Sequence, residues 1–239
     1  MKTDMSLGAT RLGGGPRIGL LVPMSNTTME AELAGWMPEG TTFDTLRIER
    51  PPGLSSRETL PDEKKRARLL AARFAGKSLD LVIYGCTATG FLAGPDGDAA
   101  IADALCEAAR TPVVTTARSV ANALANCNAR DIALVTPYRD QVNDCLKAYL
   151  ACANIRVRAL KGFGDLTIDQ LVRIEPQDVL KLAREASSND CDTLYIACSQ
   201  LPTRAIVPLL EQELGRPVWT SIKATAWQAC RDLQLEWGN

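Results

Sequence analysis

The amino-acid sequence predicts an α/β protein of two similar lobes, each a roughly four-stranded parallel sheet flanked by helices. Three observations carry this. Short apolar runs alternate with longer amphipathic ones along the whole chain. The short runs are apolar on both faces, as parallel strands covered by helices must be. And three segments of the first half recur, in order, in the second. Ile18-Gly-Leu-Leu-Val-Pro23 resembles Ile132-Ala-Leu-Val-Thr-Pro137, Ile83-Tyr-Gly-Cys86-Thr resembles Ile196-Ala-Cys198-Ser, and Thr111-Pro-Val-Val-Thr-Thr116 resembles Arg216-Pro-Val-Trp-Thr-Ser221.

The elements follow in order. A first strand is expected over residues 17–22 and a weaker one over 45–48. A helix over 61–77 begins at Pro61, whose missing N–H costs nothing in a first turn. Strands over 81–84 and 113–115 bracket a helix over 98–110, and a helix over 117–125 closes the first half. The second half repeats the plan. Its strands fall over 132–136, 155–159, 194–197 and 218–220. Its helices fall over 140–153, 176–187, 203–214 and 222–235, with Asp140 and Pro176 as start signals. Residues 1–16 are expected to be a flexible N-terminal segment. Residues 17–117 plus 222–239 would form the first lobe and 118–221 the second.

Composition narrows the function. The 239 residues carry a formal net charge of -1, with no basic excess. Nucleic acid and membrane surfaces are therefore not expected partners. The early residues lack the apolar stretch of a secretory signal. Eight cysteines without such a signal suggest free thiols in a reducing, cytoplasmic setting. None forms a C-x-x-C pair, so no metal site is expected. The chain contains no histidine, which removes Ser-His-Asp triads and Cys-His nucleophiles.

Two thiols stand out. Tyr84-Gly85-Cys86-Thr87-Ala88-Thr89-Gly90 runs from a buried strand through a thiol into small residues. Consecutive N–H groups there can hold a carboxylate and favour a thiolate. Ile196-Ala197-Cys198-Ser199-Gln200 has the same form at the equivalent place in the repeat. A single cysteine ending a core strand is commonly structural; two at equivalent positions are not easily explained that way. Parallel sheets bind ligands beyond the carboxyl ends of their strands, so facing lobes would bring Cys86 and Cys198 to opposite sides of one cleft. Val22-Pro23-Met24-Ser25-Asn26-Thr27-Thr28 ends the first strand in the same layer. Ser25 and Thr27 could cap the following helix, while the Asn26 amide could bind substrate oxygens. Tyr138 ends the equivalent second-lobe strand and could donate its phenolic proton. Thr115, Thr116, Thr220 and Ser221 read equally as lining residues or helix caps. Arg118, Arg139 and Lys223 could add positive field, though a surface place is simpler for each. The charged run Asp62-Glu63-Lys64-Lys65-Arg66 reads as a solvated helix face.

Taken together, Val22-Pro-Met-Ser-Asn26-Thr-Thr-Met-Glu30, Gly85-Cys-Thr87, Thr136-Pro-Tyr138 and Ala197-Cys198 resemble the aspartate/glutamate racemase superfamily. The resemblance runs from Arg17 onward and is strongest to its maleate cis–trans isomerase and arylmalonate decarboxylase branch. It implies two lobes of pseudo-twofold symmetry, no cofactor, an active site between the lobes and a homodimer or higher homo-oligomer. By motif match, Cys86 stands at the isomerase nucleophile and Cys198 at its proton-exchanging partner. Asn26 and Tyr138 match substrate-binding positions, with Pro23, Ser25, Thr87, Ala88 and Ser199 beside them. The implied reaction is isomerisation of a small unsaturated dicarboxylate. Three alternatives stay open: a two-thiol racemase of a small carboxylate, an arylmalonate-type decarboxylase with Cys198 as proton donor, and a non-catalytic two-lobed binding module. The decarboxylases keep only the second cysteine, so the presence of both favours isomerase or racemase.

Overall fold

In the computed structural model, which describes residues 14–49, 53–187 and 190–238, strand and helix alternate from Arg17 onward. Most of the expected flexible segment 1–16 lies outside the described residues. One sheet holds β1 (Arg17–Pro23), β2 (Thr42–Ile48), β3 (Leu81–Tyr84) and β4 (Val113–Thr115). The other holds β5 (Asp131–Thr136), β6 (Arg156–Gly162), β7 (Thr193–Ile196) and β8 (Val218–Thr220). Every pairing is parallel, and the orders are β2-β1-β3-β4 and β6-β5-β7-β8.

The sequence repeat is thus a repeat of structure, down to single hydrogen bonds. Leu21 pairs with Tyr84 as Val135 pairs with Ile196. Just beyond, Gly85 N donates to Leu21 O at 2.7 Å and Ala197 N to Val135 O at 2.8 Å. The inner strands β3 and β7 are fully buried, and β1 and β5 are buried beyond their first residue, which is why they read as continuous apolar runs. The edge strand β6 is half exposed and carries Arg156, Arg158 and Lys161, charges that discourage edge-to-edge pairing.

The helices are α1 (Met29–Trp36), α2 (Leu60–Ala71), α3 (Thr87–Ala109), α4 (Thr116–Asn126), α5 (Asp140–Ala151), α6 (Ile168–Val172), α7 (Pro176–Ala186), α8 (Val207–Leu214) and α9 (Ser221–Asp232). Sequence reasoning expected α1 only as a helix following Ser25 and Thr27, without bounds, and missed α6. Both are too short to build an apolar period; α1 buries only Met29 and Leu33. It also started α3 late. Gly94-Pro95 looks like a stop, but the chain only kinks there, with Gly94 at φ 72° and helix on both sides. Conversely α2 ends early, at Ala71, giving way to a 3₁₀ turn over Ala72–Phe74.

Two helices tie the lobes together. α4 follows the first sheet, yet its Val120, Ala123 and Leu124 share a core with Ile132 and Leu134 of β5. α9 follows the second sheet, yet Ile222, Ala226 and Ala229 pack with Ile18, Leu20 and Ile83 of the first. The C-terminal Trp237 stacks on Trp36 of α1, ring centroids 6.1 Å apart. Each buried Leu, Ile or Val contributes about 1.5–3 kcal/mol, so these shared cores join the lobes. Among the described residues no helix is long and apolar enough to cross a membrane.

One expectation about charge needs correction. Glu63, read as part of a solvated face, is 2% exposed. It shares the buried stripe of α2 with Ala67 and Ala71, spaced four residues apart and so on one side of the helix. Its neighbours Asp62 and Arg66 do face solvent, in an ion pair of 2.7 Å.

Candidate active site

The carboxyl ends of both sheets open onto one cavity of about 120 Å³, the place where parallel α/β sheets hold ligands. β3 delivers Cys86 to it through Gly85, and β7 delivers Cys198 through Ala197. The two thiols come from different lobes and line the same space.

Cys86 is the N-cap of α3, with extended backbone and no side chain capping the first turn. The helix therefore presents the N–H groups of its first turn, at Thr87 and Ala88, and the positive end of its dipole beside the thiol. Gly85 makes this approach possible: a Cβ there would sit 2.5 Å from Met29 Sδ and 2.8 Å from Val22 Cγ1. Cys86 Sγ lies 2.7 Å from Thr89 Oγ1, in the first turn of the same helix.

Cys198 adopts φ 92°, a conformation costly for any residue with a Cβ. Surrounding bonds hold it there. Its N–H donates to Ser221 Oγ at 3.0 Å, and Ser199 Oγ donates to Gly85 O of the other lobe at 2.8 Å. Burial pushes the Cys198 thiol up to about 11, against the opposing pull of the Gln200 N–H and the Tyr138 hydroxyl. At neutral pH it is a protonated thiol, able to donate and then strongly basic once it has done so.

Tyr138 lines the same cavity, near both thiols. Burial above all, and then the nearby Cys198, Tyr195 and Cys86, raises its hydroxyl well beyond the usual range near 10. It stays protonated. The side-chain oxygens of Tyr138 and Thr87 are both buried with no hydrogen-bond partner among the described residues, and both residues line the cavity. An unmet buried polar group costs about 1–3 kcal/mol, so the cavity is built for a ligand with oxygens to receive them.

Pro23, Ser25, Asn26, Ala88 and Ser199 also line the cavity. Asn26 works differently from the expectation. Its Oδ1 accepts from Thr28 N at 3.1 Å and Met29 N at 3.0 Å, so Asn26, and neither Ser25 nor Thr27, caps α1. Its Nδ2 donates to Ser199 O and Oγ, both at 3.1 Å. The amide expected to face substrate is committed to joining the lobes, and the Arg47 guanidinium holds the Asn26 carbonyl from behind. Thr115 and Thr220 are helix caps, taking the N–H groups of Arg118 and Lys223. Of the three candidate cations, only Arg139 lines the cavity, where its Nε lies 3.3 Å from Asp165. Lys223 is held instead by Glu211 at 2.8 Å.

Sequence reasoning missed the rest of the wall. Leu54, Ser55 and Ser56 approach from the loop before α2, and Val142, Ile168 and Leu171 form an apolar side. These loops and helix starts carry no motif; only the topology brings them together. A thiol on each side of a small cavity can attack an electrophilic carbon from one face and exchange a proton on the other.

The family model described as arylmalonate decarboxylase matches residues 18–238. The maleate isomerase of Nocardia farcinica is 26% identical over 227 residues, covering 92% of this chain and 90% of that protein. The arylmalonate decarboxylase of Bordetella bronchiseptica is 28% identical over 222 residues, covering 90% of each. In solved structures, a mutant Nocardia farcinica maleate cis–trans isomerase with a covalently bound succinylcysteine intermediate superposes with a TM-score of 0.85. It is 24% identical and the match covers 92% of this chain and 93% of that one.

Proposed function

The chain belongs to the arylmalonate decarboxylase family, and from that premise we propose that it is a cofactor-independent cis–trans isomerase of a small unsaturated dicarboxylate, of the maleate-to-fumarate type. The observation that carries this is the pair of thiols from opposite lobes in one cavity of about 120 Å³, with two buried, unmatched hydroxyls beside them. Relatives named maleate isomerase cover nine-tenths or more of this chain.

The chemical obstacle is a C=C bond that does not rotate. Addition of the Cys86 sulfur to one alkene carbon makes it a single bond. The π electron pair moves onto the adjacent carbon and its carboxylate, where the α3 N-terminus and the Tyr138 and Thr87 hydroxyls stabilise the charge. Rotation about the new single bond follows. Cys198 gives a proton to the carbanionic carbon and takes one back, and expulsion of the Cys86 sulfur restores the alkene as the trans acid. Pro23, Ser25, Ala88 and Ser199 shape the wall against which the carboxylates lie, and Asn26 keeps the two halves of that wall in register. The lobes are taken as 17–117 plus 222–239 and 118–221. Eight free cysteines among the described residues fit a reducing, cytoplasmic compartment, and a homo-oligomer is part of the same proposal.

Proton NMR of the protein with maleate in D₂O tests it. A growing fumarate signal, lost in Cys86→Ser, is expected. The Cys-Thr-Ala-Thr segment keeps decarboxylation as a second reading. It predicts release of CO₂ from a phenylmalonate, undiminished in Cys86→Ser.

A further inference from the structure

The mechanism leaves a buried carboxylate unexplained. Glu63 of α2 is almost wholly inaccessible, and α2 packs directly against α3. Its Oε2 accepts from Thr89 Oγ1 at 2.8 Å, and Thr89 Oγ1 lies 2.7 Å from Cys86 Sγ. Ser55 Oγ, at 3.1 Å, and Thr59 Oγ1, at 2.8 Å, also donate to the carboxylate. Thr89 itself is fully buried in the first turn of α3.

The polarity of this chain follows from donor counting. A hydroxyl has one proton and two lone pairs. If Thr89 gives its proton to Glu63, what remains toward Cys86 is a lone pair, and Cys86 must be the donor. We propose that Glu63 and Thr89 are positioning residues that carry the Cys86 proton away as the sulfur attacks. This rests on the reading of Cys86 as nucleophile. In the step, the S–H proton passes to Thr89 Oγ1 while the Thr89 proton passes to Glu63 Oε2. The sulfur pair forms the C–S bond, and the alkene π pair moves to the neighbouring carbon. Elimination returns each proton by the same path, so the enzyme ends as it began. A chain without histidine needs another acceptor for that proton, and a carboxylate two hydrogen bonds away supplies one.

The chemistry is asymmetric between the lobes. Near Cys198 the corresponding polar contact is the Gln200 N–H, a donor, at 3.5 Å, with the Tyr138 hydroxyl close by. One thiol is thus set to lose its proton and the other to keep it. The titratable groups facing Cys86 across the cavity are Tyr138 and Cys198, both held protonated by burial, and Arg139 lies on the same wall.

The test is iodoacetamide alkylation of the full-length protein, resolved by peptide mass mapping, at neutral pH and near pH 10, where thiols ionise unaided. Glu63→Gln removes the acceptor, Thr89→Val removes the relay, and Thr89→Ser restores the hydroxyl. At neutral pH, Glu63→Gln and Thr89→Val are expected to slow Cys86 alkylation by about a hundredfold. Near pH 10 the rates should converge with the parent protein, and Thr89→Ser should match the parent throughout. Cys198, read in the same map, is the internal control and should not change. Three results would overturn the proposal: unchanged neutral-pH rates in Glu63→Gln, equal losses at both pH values, or a parent Cys86 that does not react at neutral pH. Because no substrate is involved, the result is independent of the isomerase assignment. Loss of fumarate production in Cys86→Ser reports on that assignment alone.

Discussion

The two cysteines differ most in what surrounds their sulfur atoms. Cys86 meets a hydroxyl backed by a carboxylate, whereas Cys198 is raised to about 11 by burial. The second point predicts a rate. Below its midpoint the thiolate fraction grows tenfold per pH unit, so Cys198 alkylation should climb by about that factor per unit from pH 8 towards 11. A plateau below pH 9 would remove the burial argument. That these two thiols line one cavity was legible in the sequence, because each follows a buried strand at equivalent points of a repeat. The hydrogen-bonded path behind Cys86 was not. It depends on Glu63, hidden in a charged run, although Glu63, Ala67 and Ala71 sit at helical spacing and mark a buried stripe to anyone who counts by four. The Asn26 amide is the opposite case: its importance was legible and its partner was not, since Ser199 is 173 residues away.

At the scale of elements, strands were easier to place than helices. Fully buried parallel strands announce themselves as apolar runs, and the eight expected strands overlap the eight observed among the described residues. Helix boundaries depend on caps and contacts. α3 begins at Thr87, directly after the extended Cys86 at the sheet end, and the Gly94-Pro95 kink disguises the join. Gly85, between β3 and α3, lies tight against Met29 of α1 and Val22 of β1. Gly85→Ala would drive a methyl into Met29 and Val22. It should destabilise the protein by about 1–3 kcal/mol, a fall in melting temperature of roughly 2–12 °C. Gly14→Ala, where an added Cβ meets nothing within 4 Å, should leave the melting temperature unchanged in the same calorimeter.

At the scale of the molecule, the repeat predicts two lobes but not the seam between them. Besides Asn26 and Ser199, Gln200 Nε2 donates to Thr27 and Thr28 hydroxyls at 3.2 Å each. Glu32 of α1 accepts from Thr203 N at 2.5 Å, Thr203 Oγ1 at 2.8 Å and Arg204 N at 2.9 Å. Burial raises the Glu32 carboxyl, and those donors pull it back. Such a seam joins residues distant in sequence and leaves no local pattern to read, yet it sets the thiols of the two lobes around one cavity. The central claim is that the first lobe attacks and the second exchanges the proton. Removing the second thiol should therefore stop the cycle after addition: the carbanion takes a solvent proton once, and no thiolate is present to remove it. The most direct test is mass spectrometry of Cys198→Ser incubated with maleate. The account predicts a stable gain of one maleic acid mass, mapped to Cys86. An unmodified protein, an adduct on another cysteine, or undiminished fumarate production would contradict it.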